Sequence, residues 1–318
     1  MKTWIDFDEA PVFAIPLTDE VDGLRVHEGM LIEGPQGWGE FSAPSDCSEE
    51  HAGRWLTASI EAGTVGWPDP VRGRVPVAVT VPLVDPDRAR HMVAGTACRT
   101  AAVRVGGPMA EDVARVEAVR DALGPAGAIR CDAGGSWDVD AAVTAIEALD
   151  RAAGGLQFVE QPCRTLAETA RLRRRVSIPI AIPINADLAR AELSASADIA
   201  MVNVGALGGV RRSMRVAEMC GLPCVVVASL QSSIGMAAGL ALAGVLPDIE
   251  FDSELATVGL LTGDLVSAGR TLIPVDGYLP VAPMPAGPDA TGLARFVVTN
   301  PTTIARWRKR LKAAQRHI

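Results

Sequence analysis

Two acids stand at the ends of short apolar runs. Asp132 closes Ile129-Arg130-Cys131-Asp132, and Glu160 closes Gln157-Phe158-Val159-Glu160. An acid at the end of a buried strand is costly unless it is partnered. Acids from successive strand ends can assemble an oxygen-ligand site for Mg²⁺. Equally, they can serve as helix N-caps or as salt-bridged carboxylates at a rim. Arg104 ends an earlier run, Ala101-Ala102-Val103-Arg104-Val105. Later runs end near Pro183 to Asp187, at Asn203, and in the loop holding Ser229, Gln231, Ser232 and Ser233.

These residues share a place in a repeat. From Val75 onward, strand-like segments alternate with longer amphipathic ones: 75–81, 101–105, 129–132, 157–160, 178–182, 199–204, 224–228 and a weaker 249–252. Most are near-continuously apolar, as strands covered on both faces require. Ala-rich stretches such as Ala141 to Ala152 and Ser213 to Cys220 carry helical spacing between them. The recurrence, about 20 to 28 residues from strand to strand, favours a barrel over a doubly wound sheet. No Gly-x-Gly-x-x-Gly follows an early strand, which weakens a dinucleotide-binding alternative. In a barrel, the strand ends named above would line the functional face. Residues 1–74 precede the repeat and form an expected α+β unit, 75–270 the barrel, and 271–318 a closing segment. The basic cluster at 304–312 has Trp307 and Leu311 on one face, as a docked, solvated helix would.

Composition narrows the classes. Lys and Arg total 30 against 38 Asp and Glu, a net charge of −8, so nucleic acid is not an expected partner. Hydrophobic residues make up 48% and aromatic ones only 4%, which implies an aliphatic globular core rather than disorder. No apolar run approaches the roughly 20 residues that cross a bilayer, and the acidic start does not resemble a signal peptide. The six cysteines at 47, 98, 131, 163, 220 and 224 are scattered, as reduced thiols of a cytoplasmic protein would be. A small molecule is the expected partner; oligomeric state cannot be read from the chain.

Several motifs in order resemble the o-succinylbenzoate synthase branch of the enolase superfamily in its actinobacterial form. They are Leu31-Ile32-Glu33-Gly34-Pro35-Gln36-Gly37-Trp38-Gly39-Glu40-Phe41, Asp132-Ala133-Gly134-Gly135-Ser136-Trp137, Val159-Glu160-Gln161-Pro162-Cys163 with Leu172-Arg173-Arg174-Arg175-Val176, Leu207-Gly208-Gly209-Val210, and Gly235-Met236-Ala237-Ala238-Gly239-Leu240. The resemblance implies an α/β fold: a modified (β/α)₇β TIM-like barrel, an N-terminal capping domain and a C-terminal segment returning to the cap. It also implies Mg²⁺ held by three acids at the ends of the third to fifth barrel strands. A Lys on the second strand would be the base that abstracts a proton beside a carboxylate, and a Lys on the sixth would face it. Elimination of water would follow; some relatives racemise N-succinylamino acids.

The chain departs from that pattern where the chemistry lies. The Lys-x-Lys of the second strand falls on Ala102-Val103-Arg104, and the sixth-strand Lys on Asn203. A guanidinium with pKa above about 12 cannot act as a base near neutrality. Asp132 and Glu160 remain as metal ligands, whereas the third falls in Ile182-Pro183-Ile184-Asn185-Ala186-Asp187. Ungapped alignment puts Pro183 there, without a donor; a two-residue insertion puts Asn185 there, with Asp187 close by. The family's companion Asn is Gly134. Three readings follow. A repurposed lyase, cyclase or isomerase would act on a small cyclic or carboxylate-bearing substrate in a specialised biosynthetic pathway. It would use Arg104, Asp132 and Glu160, with Asn203, Ser229, Gln231, Ser232 and Ser233 at the substrate and Mg²⁺ weak or absent. A non-catalytic ligand-binding or assembly subunit would carry Arg104 paired to Asp132 or Glu160. An ordinary synthase would need a replacement base, for which His27 is an outside candidate; each of the four histidines otherwise reads as a surface or loop residue.

Overall fold

The computed structural model describes residues 5–184 and 190–318. A three-stranded antiparallel sheet comes first: β1 (Val12–Val21), β2 (Leu24–Glu33) and β3 (Trp38–Phe41), in that spatial order. Helix α1 (Glu49–Thr64) packs across it, its Ser48 N-cap accepting from the His51 N–H. The approach is close at Gly39, where a Cβ would lie 2.1 Å from the Ser59 carbonyl oxygen. Phe41, Leu56, Trp55 and Met30 fill the resulting core.

The apolar run at 75–81 is two strands rather than one. Its first part, β4 (Arg74–Pro76), pairs outside the barrel, and β5 (Val79–Val81) opens the parallel sheet. Helix α2 (Pro86–Ala94) then leads to β6 (Thr100–Arg104), α3 (Met109–Leu123), β7 (Ala128–Asp132), α4 (Val139–Ala153) and β8 (Val159–Glu160). After α5 (Leu166–Arg173) come β9 (Ile180–Pro183), α6 (Arg190–Ser196), β10 (Ile199–Asn203), α7 (Val204–Leu207), α8 (Val210–Cys220) and β11 (Cys224–Val227). The strands from β5 to β11 lie side by side in chain order. The eighth position is filled one step beyond the expected 249–252. Ser253 N–H donates to Pro76 O at 2.9 Å, and Glu254 N–H donates to Val226 O at 2.9 Å, joining the sheet's two edges. A two-residue closing strand offers too short an apolar pattern for a sequence reading to place.

Phe158, Ala181, Ile199, Met201 and Val225 fill the barrel interior, while a larger aliphatic cluster joins its strands to the outer helices. Helix α9 (Ser233–Val245) is almost wholly buried. The chain continues through β12 (Tyr278–Pro280), which pairs with β4, then α10 (Ala290–Phe296) and α11 (Pro301–Ala314). Helix α11 returns to the cap, where buried Trp307 meets Phe41 edge-on at 5.9 Å. Among the described residues, no helix is long and apolar enough to cross a membrane.

Two carboxylates, Glu61 and the buried Glu40, lock cap to barrel. Helix α8 begins at Gly209, which has no side chain to cap it. Glu61 of α1 substitutes, accepting from the Val210 and Arg211 N–H groups and from the Arg211 guanidinium. Glu40 of β3 accepts from Ser42 at 2.7 Å, the Ser232 N–H at 3.0 Å and the Ser232 hydroxyl, and lies 3.0 Å from His27 Nε2. Loss of an N-cap costs about 0.5–2 kcal/mol. Glu61→Ala is therefore expected to lower the thermal midpoint by about 1–3 °C. Glu20→Ala, which removes only an exposed pair with Arg25, should leave it within about 1 °C; differential scanning calorimetry of both variants checks this.

Candidate active site at the barrel mouth

The register of β6, β7 and β8 sets the geometry. Arg104 pairs in register with Asp132, and Asp132 with Glu160, so the three side chains leave adjacent strand ends on one level. The Arg104 guanidinium donates from Nη1 to Asp132 Oδ2 at 2.6 Å. Asp132 Oδ1 accepts the Gly134 N–H at 2.9 Å, so both of its oxygens are engaged. Burial works against the Arg104 charge, but Asp132 and Asp22 outweigh it and hold its pKa above the ordinary value. For Asp132, burial pushes the pKa up, while Arg104 and the Gly134 N–H pull against that push.

Gly134 explains how a guanidinium fits there. Its backbone has φ 53°, and a Cβ at this position would lie 2.3 Å from Arg104 Nη2 and 2.6 Å from Cζ. Arg104 on β6 and Gly134 after β7 are thus one steric unit. A longer side chain on the strand needs an empty place on the loop.

Glu160 stands next to this pair and has no hydrogen-bond partner among the described residues. Burial pushes its pKa well above the usual carboxylate range, and the Asp132 and Glu254 charges push the same way against Arg130 and Arg104. The following residue, Gln161, holds φ 40°, an uncommon backbone for a non-glycine residue. Below lies a second pair that sequence reading missed. Arg130, 1% exposed, places Nε 3.1 Å from Glu254 Oε1, donates from Nη2 to Asp252 O at 2.6 Å and lies over the Phe158 ring. Burial raises the Glu254 pKa, and Arg130 opposes it. Asp252-Ser253-Glu254 is polar throughout and shows no strand period, so the chain carried no signal for Glu254. The other missed residue is Asp22, at the β1–β2 turn, whose Oδ1 lies 3.0 Å from Arg104 Nε. Asp-Gly between apolar runs marks a hairpin, but nothing local places its tip on the barrel.

The other expected site residues divide. Asn203 caps α7 through Oδ1, which accepts the Ala206 N–H at 3.2 Å, while its Nδ2 donates to Ser229 Oγ at 3.2 Å. Gln231 lines a cavity of about 20 Å³ with Asn203, Glu40, Trp55 and Gly235, about the room of one water. Ser232 and Ser233 are buried, and their hydroxyls go to Glu40 and Asp264. They serve the joint between cap and barrel, because the N-terminus of α9 is turned toward those acids. His27 is buried beside Glu40 rather than on the surface.

The described residues do not fit Mg²⁺. A guanidinium takes the place beside Asp132 that a cation would need, and Pro183 at the end of β9 has no donor side chain. No group of three His, Cys, Asp or Glu residues is arranged to hold a metal among the described residues. Asn185 and Asp187, the alternative third ligands, lie outside them.

Comparison with known proteins defines the lineage. Residues 12–63 match the enolase N-terminal domain-like family model, and residues 85–294 the enolase C-terminal domain-like model. The o-succinylbenzoate synthase of Thermobifida fusca is 49% identical over 276 residues, covering 85% of this chain and 86% of that protein. The chain belongs to the o-succinylbenzoate synthase branch of the enolase superfamily. The synthase of Mycolicibacterium smegmatis is 40% identical over 298 residues, covering 91% of this chain and 90% of that one. Among solved structures, the N-succinyl Arg/Lys racemase of Bacillus cereus superposes with a TM-score of 0.77 at 19% identity. That match covers 94% of this chain and 98% of the racemase. The L-Ala-D/L-Glu epimerase of Bacillus subtilis gives 0.75 at 19% identity, covering 91% and 100%. At these identities the two structures speak for the fold alone.

The steric unit predicts non-additivity between sites that touch. Gly134→Asn should destabilise the protein by about 1–3 kcal/mol, because it displaces a guanidinium from a buried carboxylate. In an Arg104→Lys background the same change should cost at least about 1 kcal/mol less. Urea denaturation of the four proteins in the cycle measures the coupling; additivity within about 0.5 kcal/mol would rule the contact out.

Proposed function

We propose that this branch member has left the lysine-and-metal chemistry of o-succinylbenzoate synthesis. On this reading it is a metal-independent lyase, cyclase or isomerase for a small carboxylate-bearing substrate. The observation carrying the proposal is the 2.6 Å contact of Arg104 with Asp132, at the strand end where the family resemblance places the base. The only lysines in the chain are Lys2, Lys309 and Lys312, none in the barrel. Loss of a general base typically lowers a rate by about 10²–10⁴-fold.

What remains suits different work. A guanidinium held in a low-dielectric mouth can bind a substrate carboxylate or stabilise a developing oxyanion. Glu160, unpartnered beside it, is the group placed to carry a proton between substrate carbon and solvent. The net atom change in such a step is a proton moved on or off the carbon next to a carboxylate. The charge left there is met by Arg104.

The same ion pair supports a second reading, a non-catalytic ligand-binding subunit, because Arg104 is held from two sides by Asp132 and Asp22. Proton exchange separates the two. N-succinyl-arginine and o-succinylbenzoate incubated with the protein in D₂O, followed by NMR, should exchange the hydrogen next to the carboxylate. The exchange should resist chelation and be lost in Glu160→Gln. Binding without exchange would favour the second reading. Formation of o-succinylbenzoate at the rate of the Thermobifida fusca relative, abolished by EDTA, would contradict both.

A further inference from the structure

The turn between α8 and β11 brings two cysteines together at the end of the barrel away from the mouth. Cys220 is the last residue of α8, and Cys224 opens β11, in register with Ala200 near the start of β10. Their sulfurs lie 3.7 Å apart. The backbone imposes this approach from both sides. Gly221 ends the helix at φ 68°, and Pro223 O accepts the Ala200 N–H at 2.9 Å. The Leu222 carbonyl faces both thiols, 3.4 Å from Cys224 Sγ and 3.6 Å from Cys220 Sγ.

Neither thiol reaches the chemistry at the mouth, and a metal does not explain the pair. Structural zinc takes four ligands, and among the described residues no third His, Cys, Asp or Glu joins the sulfurs. Solvent reaches the pair from one side. Cys220 is buried and Cys224 half-buried, while Gly221 and Pro223 between them are exposed. Cys98, Cys131 and Cys163 instead lie within the aliphatic core.

We propose that Cys220 and Cys224 are an oxidisable dithiol, closed to an intramolecular disulfide by low-molecular-weight disulfides of the glutathione type. One protein thiolate attacks the reagent's S–S bond, forming a mixed disulfide and releasing one reagent thiolate. The second protein thiolate then attacks the first protein sulfur, and the other reagent thiolate leaves. Two protein thiols are oxidised, and one reagent disulfide is reduced to two thiols. The sulfurs must approach by about 1.7 Å to reach a bond length of about 2.05 Å. Because they already touch, the second step joins neighbours and keeps the mixed disulfide from accumulating. The Cys220 contact, followed by burial, pushes the Cys224 thiol up, so closure should quicken as pH rises.

The consequence is mechanical. The bridge would tie the C-terminus of α8, whose N-terminus is held by Glu61 of the cap, to the strand where the barrel closes. It lies at the strand starts, the face of a barrel that carries stability rather than catalysis. A closed loop of five residues, 220–224, restricts the unfolded chain and should raise the thermal midpoint by about 3 °C.

The full chain, reduced and then incubated with excess oxidised glutathione, tests this by peptide mass mapping and scanning calorimetry. The peptide holding 220–224 should be two hydrogens lighter and resist alkylation, and should form faster at about pH 8.5 than at about pH 7. The midpoint should rise by about 3 °C and return on reduction with dithiothreitol. Cys224→Ala should show no such rise, which separates the bridge from adducts at Cys47. Free thiols persisting at Cys220 and Cys224, or glutathione held stably on either, overturn the dithiol. So does a bridge that leaves the midpoint unchanged or lower, or an equal rise in Cys224→Ala. If that variant does not fold, the wild type with and without dithiothreitol decides alone by the same readouts.

Discussion

A charge inside a barrel mouth needs a counter-charge, and in this protein Arg104 supplies it. Asp132, Glu160 and Glu254 converge on one low-dielectric space, where burial alone pushes all three carboxyls up. Two guanidiniums offset them, Arg104 at the rim and Arg130 one layer below. In a family whose resemblance implies a divalent cation at this place, a fixed monovalent cation on β6 changes what the acids can do. On the proposed reading, Asp132 is a structural partner of that guanidinium, and Glu160 is a carboxyl without a ligand to hold.

Other features follow from seating that guanidinium. Gly134 has to be small because Arg104 lies against it. The hairpin tip has something to hold, through Asp22. The cap must stay in register with the barrel for that contact to form. Glu61 of α1 and Glu40 of β3 maintain the register by accepting hydrogen bonds from the N-termini of α8 and α9. These are favourable places for carboxylates because the unpaired N–H groups point outward there.

Much of this was legible in the chain. The continuous apolar runs ending in Arg104, Asp132, Glu160 and Asn203 carry the barrel strands, because parallel strands buried on both faces tolerate polarity only at their ends. The absent lysines were visible too. Illegible were features in which short or polar segments act at a distance. The closing strand at Ser253–Glu254 is too brief to show a period, so Glu254 was missed. Asp22 reads as an ordinary turn residue until the cap is set on the barrel. Ser232 and Ser233 looked like substrate contacts by position, yet they are turned into the cap joint by Glu40 and Asp264, residues far away in sequence. His27 was ambiguous for the same reason.

The central claim is that a guanidinium has replaced the metal as counter-charge at this barrel mouth, and titration of the purified protein with Mg²⁺ by calorimetry tests it most directly. No saturable heat is expected into the millimolar range, because the Asp132 oxygens are engaged by Arg104 and Gly134. Saturable binding in the micromolar range, lost in Asp132→Asn, would contradict it.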